Sequence, residues 1–204
     1  MSLFVKTLIE SIIQVIVLSI IPIIWWLVTS KKETSFWNWI GLKKIRNAKE
    51  NKTLVWIVGV LTVFMPVSLL TIYILRDVET ATSDFSGLRI AALPAVLIYA
   101  IFRTALSEEI VFRGFILKRV SGKFGFHAGN MVQSILFGLM HGVMFFSVTS
   151  AINAIFITLL TGGVGWCMGY VNEKKAEGSI LPSWCIHAIA NIVSGICSAF
   201  MLFS

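Results

Sequence analysis

Four stretches of this sequence contain no Asp, Glu, Lys or Arg: residues 11–30, 53–75, 128–172 and 178–204. A helix needs about 20 residues to cross the hydrocarbon core of a bilayer, so each stretch is long enough to span one. The third is long enough for two helices, and its polar middle at residues 147–153 predicts a turn between them. A sixth candidate, residues 87–106, is apolar except for Arg89 at its mouth and Arg103 inside it. Only 13% of the residues are charged, about half of what an ordinary soluble domain carries, so a polar shell around a water-soluble core is excluded. The pattern predicts an all-α, polytopic membrane helical bundle of about six transmembrane helices, forming a single integral membrane domain over residues 1–204. Lys6 precedes the first apolar stretch, but that stretch is too long for a signal peptide and no small-residue cleavage site follows it.

A net charge of +7 is compatible with nucleic-acid binding in composition but not in placement, so no nucleic-acid partner is expected. The first connection holds Lys31, Lys32, Lys43, Lys44, Arg46, Lys49 and Lys52 against Glu33 and Glu50; the third holds Lys118, Arg119 and Lys123; the fifth has Lys174 and Lys175 balanced by Glu173 and Glu177. Positive-inside bias puts these three connections in the cytoplasm and both termini outside a cell membrane. Phe36, Trp37, Trp39 and Ile40 alternate with lysines in the first connection, which suits a segment lying among lipid headgroups. Gly165 and Gly169, four apart, predict close approach of a neighbouring helix within the chain. Pro182 suits the first turn of the last helix. Cys167, Cys185 and Cys197 form no C-x-x-C or disulfide framework and are read as packing residues.

Ionisable groups within a bilayer cost roughly 2.5–3.5 kcal/mol each on insertion scales, which makes them functional candidates by default. Glu109 and Arg113 are four apart with the acid first, the favourable order for a same-face ion pair. Glu108 lies about 100° round the helix with no partner at that spacing, which leaves it as a candidate general base. His187 and Asn191 share a face and can point together at one substrate carbonyl, whereas Cys185 falls about 200° from His187. His141 follows Phe137 by one turn. Taken singly, Glu109–Arg113 reads as an ion pair at a helix end, His141 as a core histidine and Asn191 as an interhelical contact. Together they supply a base, two histidines and an amide on three spans. Depth is the tension in this reading. Glu108 falls near the cytoplasmic end of the third span and His187 about 10 Å inside the sixth, but His141 lies about 20 Å into the fourth unless that helix starts above the membrane or tilts. His127 is expected to be solvated, and Arg103 and Glu10 to snorkel or form a helix-to-helix pair.

At these residues the sequence resembles the Abi family, also called CAAX proteases and bacteriocin-processing enzymes or CPBP intramembrane peptidases. The pattern is Glu-Glu-x-x-x-Arg, Phe-x-x-x-His and His-x-x-x-Asn, met here in order as Glu108-Glu109 with Arg113, Phe137 with His141, and His187 with Asn191. The resemblance covers about residues 88–201. It implies hydrolysis of a peptide bond in a membrane-associated peptide or protein, with prenylated CAAX proteins as eukaryotic substrates and often bacteriocin-related peptides in bacteria. Carried over, Glu108 and His141 activate water, His187 and Asn191 form the oxyanion site, and Glu109, Arg113 and Phe137 support the geometry. A zinc ion on Glu108, His141 and His187 is the alternative to a metal-independent mechanism; no H-E-x-x-H occurs. Two other classes of function compete: a non-catalytic bacteriocin self-immunity or scaffold protein, and a small transporter or proton relay, for which no inverted repeat is apparent.

Overall fold

A computed structural model describes residues 1–203, and every regular element among them is helical. The elements are α1 (Leu3–Thr29), a short α2 (Phe36–Ile40), α3 (Thr53–Ile74), α4 (Arg89–Phe124), α5 (Phe126–Phe146), α6 (Ala151–Lys175) and α7 (Leu181–Ala199). All but α2 are long and apolar enough to cross a membrane, and the protein is a multi-pass membrane protein.

The chain is apolar outside and small or polar within. On α1, Ile12, Ile13, Ile16, Ile20, Ile21 and Ile24 are exposed, while Thr7, Ser11, Ser19 and Pro22 are buried. Lipid tails are as apolar as isoleucine, so burying isoleucine between helices gains nothing over leaving it in lipid; close packing of small side chains and interhelical hydrogen bonds hold the bundle instead.

The α5–α6 pair shows both devices. A Cβ on Gly138 would lie 3.1 Å from Gly162 Cα and 2.5 Å from the Thr158 carbonyl oxygen. Further along the pair, Asn130 donates to the Trp166 carbonyl at 3.0 Å and Gln133 to the Gly165 carbonyl at 2.9 Å. Gly165 and Gly169 make room inside this chain, as expected: a Cβ on Gly165 would lie 3.1 Å from an Arg113 nitrogen and 3.3 Å from the Phe137 ring. The turn falls between Phe146 and Ala151, within the predicted polar stretch.

The third span differs from expectation. It does not stop at the charged motif but runs on to Phe124, placing Glu108 in mid-helix. The physical reason is that the charges are satisfied without water. Glu109 and Arg113 neutralise each other, and Lys118 donates to Glu173 at 2.8 Å and to the Gly178 carbonyl at 2.7 Å. The helix ends where Gly125 takes φ +83°. With Glu108 in mid-helix and α5 beginning at Phe126, the tension in depth disappears: Glu108, His141 and His187 all line one cavity.

The first connection also departs from a purely interfacial role. Trp37 faces outward, but Trp39 and Ile40 are buried, with Ile40 pressed on Gly114 of α4. Arg119 lies over the Trp39 ring at 3.9 Å. The same connection is tied to the fifth: the Ile180 amide donates to the Gly41 carbonyl at 2.9 Å, Ser179 to the Lys43 carbonyl at 2.7 Å, and the Asn47 amide to Glu177 at 2.9 Å. With Lys118 joining from the third, the three basic connections meet at one end of the bundle. His127 is exposed, as expected, and stacks on Trp166. Of the cysteines, Cys197 is buried and Cys167 half-buried, but Cys185 is exposed rather than packed.

The glycine contacts give the first prediction. Gly138→Ala forces a methyl onto backbone atoms that cannot yield, and should destabilise the bundle by about 1–3 kcal/mol. Gly59, whose added Cβ would meet nothing within 4 Å, should accept alanine without loss. Denaturant-driven unfolding of the two variants in lipid bicelles measures the difference.

Candidate active site

The centre of the site is a pair of charges that never reaches water. Glu109 and Arg113 are both 0% exposed, and an Arg113 terminal nitrogen donates to Glu109 Oε1 at 2.8 Å. The guanidinium carbon lies 4.1 Å from the centroid of the Phe137 ring, a cation–π contact. Phe137 in turn packs against His141 (4.5 Å between ring centroids), against His187 edge-on (5.7 Å) and against Phe112 (5.1 Å). One phenylalanine thus touches the cation and both histidines, which is why a ring belongs one turn before His141.

His187 is held from the other side. Its Nδ1 lies 3.1 Å from Glu109 Oε1; with Arg113 holding that carboxylate ionised, Nδ1 carries the proton and donates. Nε2 is left toward Glu108, 3.8 Å from its Oε2. His141 is fixed in the same way by a different acceptor. Its Nδ1 is 2.8 Å from the Phe137 carbonyl oxygen, and a carbonyl only accepts, so Nδ1 is the donor and Nε2 of the neutral ring is an acceptor.

Glu108 and Glu109, adjacent in sequence, have opposite environments. Glu109 is fully buried and its Oε1 accepts from Arg113 and His187, whereas Glu108 lines the cavity; Oε2 of each carboxylate has no hydrogen-bond partner among the described residues. Glu108, His141, His187 and Asn191 line one cavity of about 770 Å³. Asn191 donates from Nδ2 to Thr104 Oγ1 at 2.7 Å, leaving its second N–H free of that bond.

Sequence reasoning missed Thr104, which orients Asn191 and lines the cavity. The signal was available, since Thr104 stands one helical turn before Glu108. It also had no means of seeing that α4 is widened into π turns at Tyr99–Leu106 and Ile110–Leu117, on either side of Ser107–Glu109. Such turns recur at functional sites. Arg103 and Glu10 form the expected helix-to-helix pair at 2.6 Å.

Glu108, His141 and His187 share a cavity, but among the described residues no three His, Cys, Asp or Glu side chains are grouped to hold a metal ion.

Removing one member of a buried pair leaves the other charged in a dry interior, at a cost of about 3–5 kcal/mol. Arg113→Met should therefore lose folded protein as well as activity, seen as early unfolding in detergent. Combining it with Glu109→Gln should recover much of the stability.

Comparison with known proteins identifies a family. The family model described as type II CAAX prenyl endopeptidase Rce1-like matches residues 90–193. That interval contains all three motifs, from Glu108 to Asn191, and just over half of the 204 residues. No curated protein and no solved structure matches the chain. With six membrane helices, an ordered set of motifs on three of them and a family match across the same residues, this chain belongs to the Rce1-like type II CAAX prenyl endopeptidases.

Proposed function

We propose that the protein hydrolyses a peptide bond of a membrane-associated peptide or protein, with Glu108 and His141 activating water and His187 and Asn191 holding the oxyanion. The observation that carries this reading is the contrast within the Glu-Glu pair: Glu109 is fully buried with its Oε1 taken by Arg113 and His187, whereas Glu108 lines a cavity that it shares with two histidines and an amide.

In this mechanism a water in the cavity hydrogen-bonds to Glu108 and to Nε2 of His141. Glu108 accepts one proton as the oxygen attacks the scissile carbonyl carbon. The carbonyl π bond becomes a lone pair on oxygen, and that oxyanion accepts hydrogen bonds from Asn191 Nδ2 and from His187 Nε2. In the latter role His187 donates from Nε2 as imidazolium while its Nδ1–H stays on Glu109, and the oxyanion offsets its charge, since Glu109 already neutralises Arg113. Collapse of the tetrahedral intermediate expels the amine, which takes the proton from Glu108. Glu109, Arg113 and Phe137 touch no reacting atom; they fix the two imidazoles. We propose that no metal is needed, the ligand grouping for one being absent from the described residues.

The proposed setting is a cell membrane, with the basic end of the bundle in the cytoplasm and both termini outside. In a bacterial host, bacteriocin maturation or self-immunity by proteolysis is the substrate context we favour. Cysteine introduced at Lys44 should react with an impermeant maleimide only after the cells are opened; labelling of intact cells reverses the orientation.

Two substitutions test the chemistry. Glu108→Gln should abolish turnover while leaving the fold, and Asn191→Ala should lower kcat by about 10²–10³, the usual loss for one oxyanion donor. Mass spectrometry of membrane and secreted peptides from cells expressing wild type or Glu108→Gln at matched levels needs no prior substrate. New termini confined to wild type support a peptidase. Identical peptidomes, under conditions where wild type produces a phenotype, would instead support a non-catalytic immunity or scaffold role.

A further inference from the structure

Asn172 and Ser183 are polar, 0% exposed, and left without work by the chemistry above. Asn172 lies in the π turn Val171–Lys175 that closes α6, and Ser183 in the first turn of α7, after Pro182. The two residues pair twice. Asn172 Nδ2 donates to Ser183 Oγ at 2.7 Å, and the Ser183 backbone N–H donates to Asn172 Oδ1 at 3.2 Å. The Ser183 hydroxyl donates in turn to the Ile180 carbonyl at 3.0 Å. The backbone of Asn172 joins the same arrangement, its carbonyl accepting from the Gly178 amide at 2.8 Å.

The first turn of a helix leaves backbone N–H groups without a partner, and a polar side chain at the N-cap usually takes one of them. The N-cap of α7 is Ile180, whose side chain has no acceptor. Ser179 serves the Leu181 amide at 3.3 Å, and Asn172 serves that of Ser183 from a neighbouring helix. A buried amide that only ties two helices together bonds the carbonyl opposite, as Asn130 does with Trp166. Asn172 instead grips one residue by both amide and hydroxyl, which fixes the rotation of α7 as well as its height. Ser183, His187 and Asn191 stand at i, i+4 and i+8 on one face of that helix. Each is held by a different partner: Asn172, Glu109 Oε1 at 3.1 Å and Thr104 Oγ1 at 2.7 Å. Neither Asn172 nor Ser183 lines the cavity, so any effect they have on the chemistry passes through α7.

We propose that Asn172 is a positioning residue for His187: by holding Ser183 it fixes the register of α7 at which His187 Nδ1 meets Glu109 and Nε2 faces the cavity. The proposal rests on the peptidase reading above. The Glu109 carboxylate is already fixed within α4 by Arg113, so the element that has to be placed is α7. The tolerance is small. The contact of 3.1 Å between His187 and Glu109 lies near the upper end of the hydrogen-bond range, so moving α7 by about 1 Å breaks it. A misplacement of that size costs about 10²-fold in rate.

The chain contains three histidines, so full-length protein in nanodiscs, isotope-labelled only at histidine nitrogen, reports its ring protons by magnetic resonance without any substrate. His187→Asn identifies the His187 signals. At alkaline pH the wild-type ring should carry its proton on Nδ1. Asn172→Leu, which matches the amide in size but cannot pair, should lower the ratio of Nδ1–H to Nε2–H tautomer by about tenfold, in line with losing one hydrogen bond to a charged group. It should also lower the yield of the peptide termini that distinguish wild type from Glu108→Gln by about 10–100-fold. Asn130→Leu removes an equally buried interhelical amide away from α7; it should lower stability and leave the tautomer ratio as in wild type. Where Asn172→Leu does not fold, Ser183→Ala carries the test: it deletes one of the two contacts and should lower the ratio by roughly threefold. A wild-type ratio in folded Asn172→Leu, a wild-type ratio or no folded protein in Ser183→Ala when Asn172→Leu does not fold, or an equal fall in Asn130→Leu would overturn the proposal and leave Asn172 a tie between helices. Failure of the peptidase reading shows separately: the tautomer ratio still falls, but wild type yields no termini of its own.

Discussion

The site depends on an ion pair that one helix makes with itself. Glu109 and Arg113 sit one turn apart, fully buried, and everything polar around them is arranged on that pair. Arg113 takes the face of Phe137, and Glu109 takes the Nδ1 of His187. Through Phe137 the pair also sets the place of His141. A carboxylate alone at this depth would be too costly to keep charged, and an arginine alone would draw water or lipid headgroups inward. Paired, they give a neutral, rigid pedestal beside which a second carboxylate, Glu108, lines the cavity.

That division of labour between adjacent glutamates is common to the geometry and the sequence. The i, i+4 spacing identified Glu109 as the paired residue and left Glu108 over, and the contacts agree. The six spans were legible for the same kind of reason: uncharged runs of this length have few other uses, and the polar stretch after Phe146 turns where it was expected to. The Arg103–Glu10 pair was half legible. Two opposite charges in separate spans suggested it, but nothing in the local sequence fixed which would meet.

The misreadings have physical causes. Hydropathy ends the third span at the charged motif because it scores each residue alone, whereas the helix continues through charges that cancel in pairs. Trp39 and Ile40 were read as interfacial because tryptophan beside lysine usually is; the space over Gly114 draws them in. The π turns left no trace in composition, since they arise from how α4 is packed by its neighbours. They change which residues share a face, and with that the company Glu108 keeps.

The distribution of the site along the chain has a consequence for biogenesis. Glu109 meets His187 across 78 residues of sequence, and α7 is made after the other described helices. While α4 waits in the bilayer, Glu109 and Arg113 are already matched within a single turn, whereas Lys118 meets Glu173 only once α6 has been made. His141 comes with α5 but His187 only with α7, and until then the candidate site is incomplete. The candidate site is in this way assembled only after its helices are in the membrane.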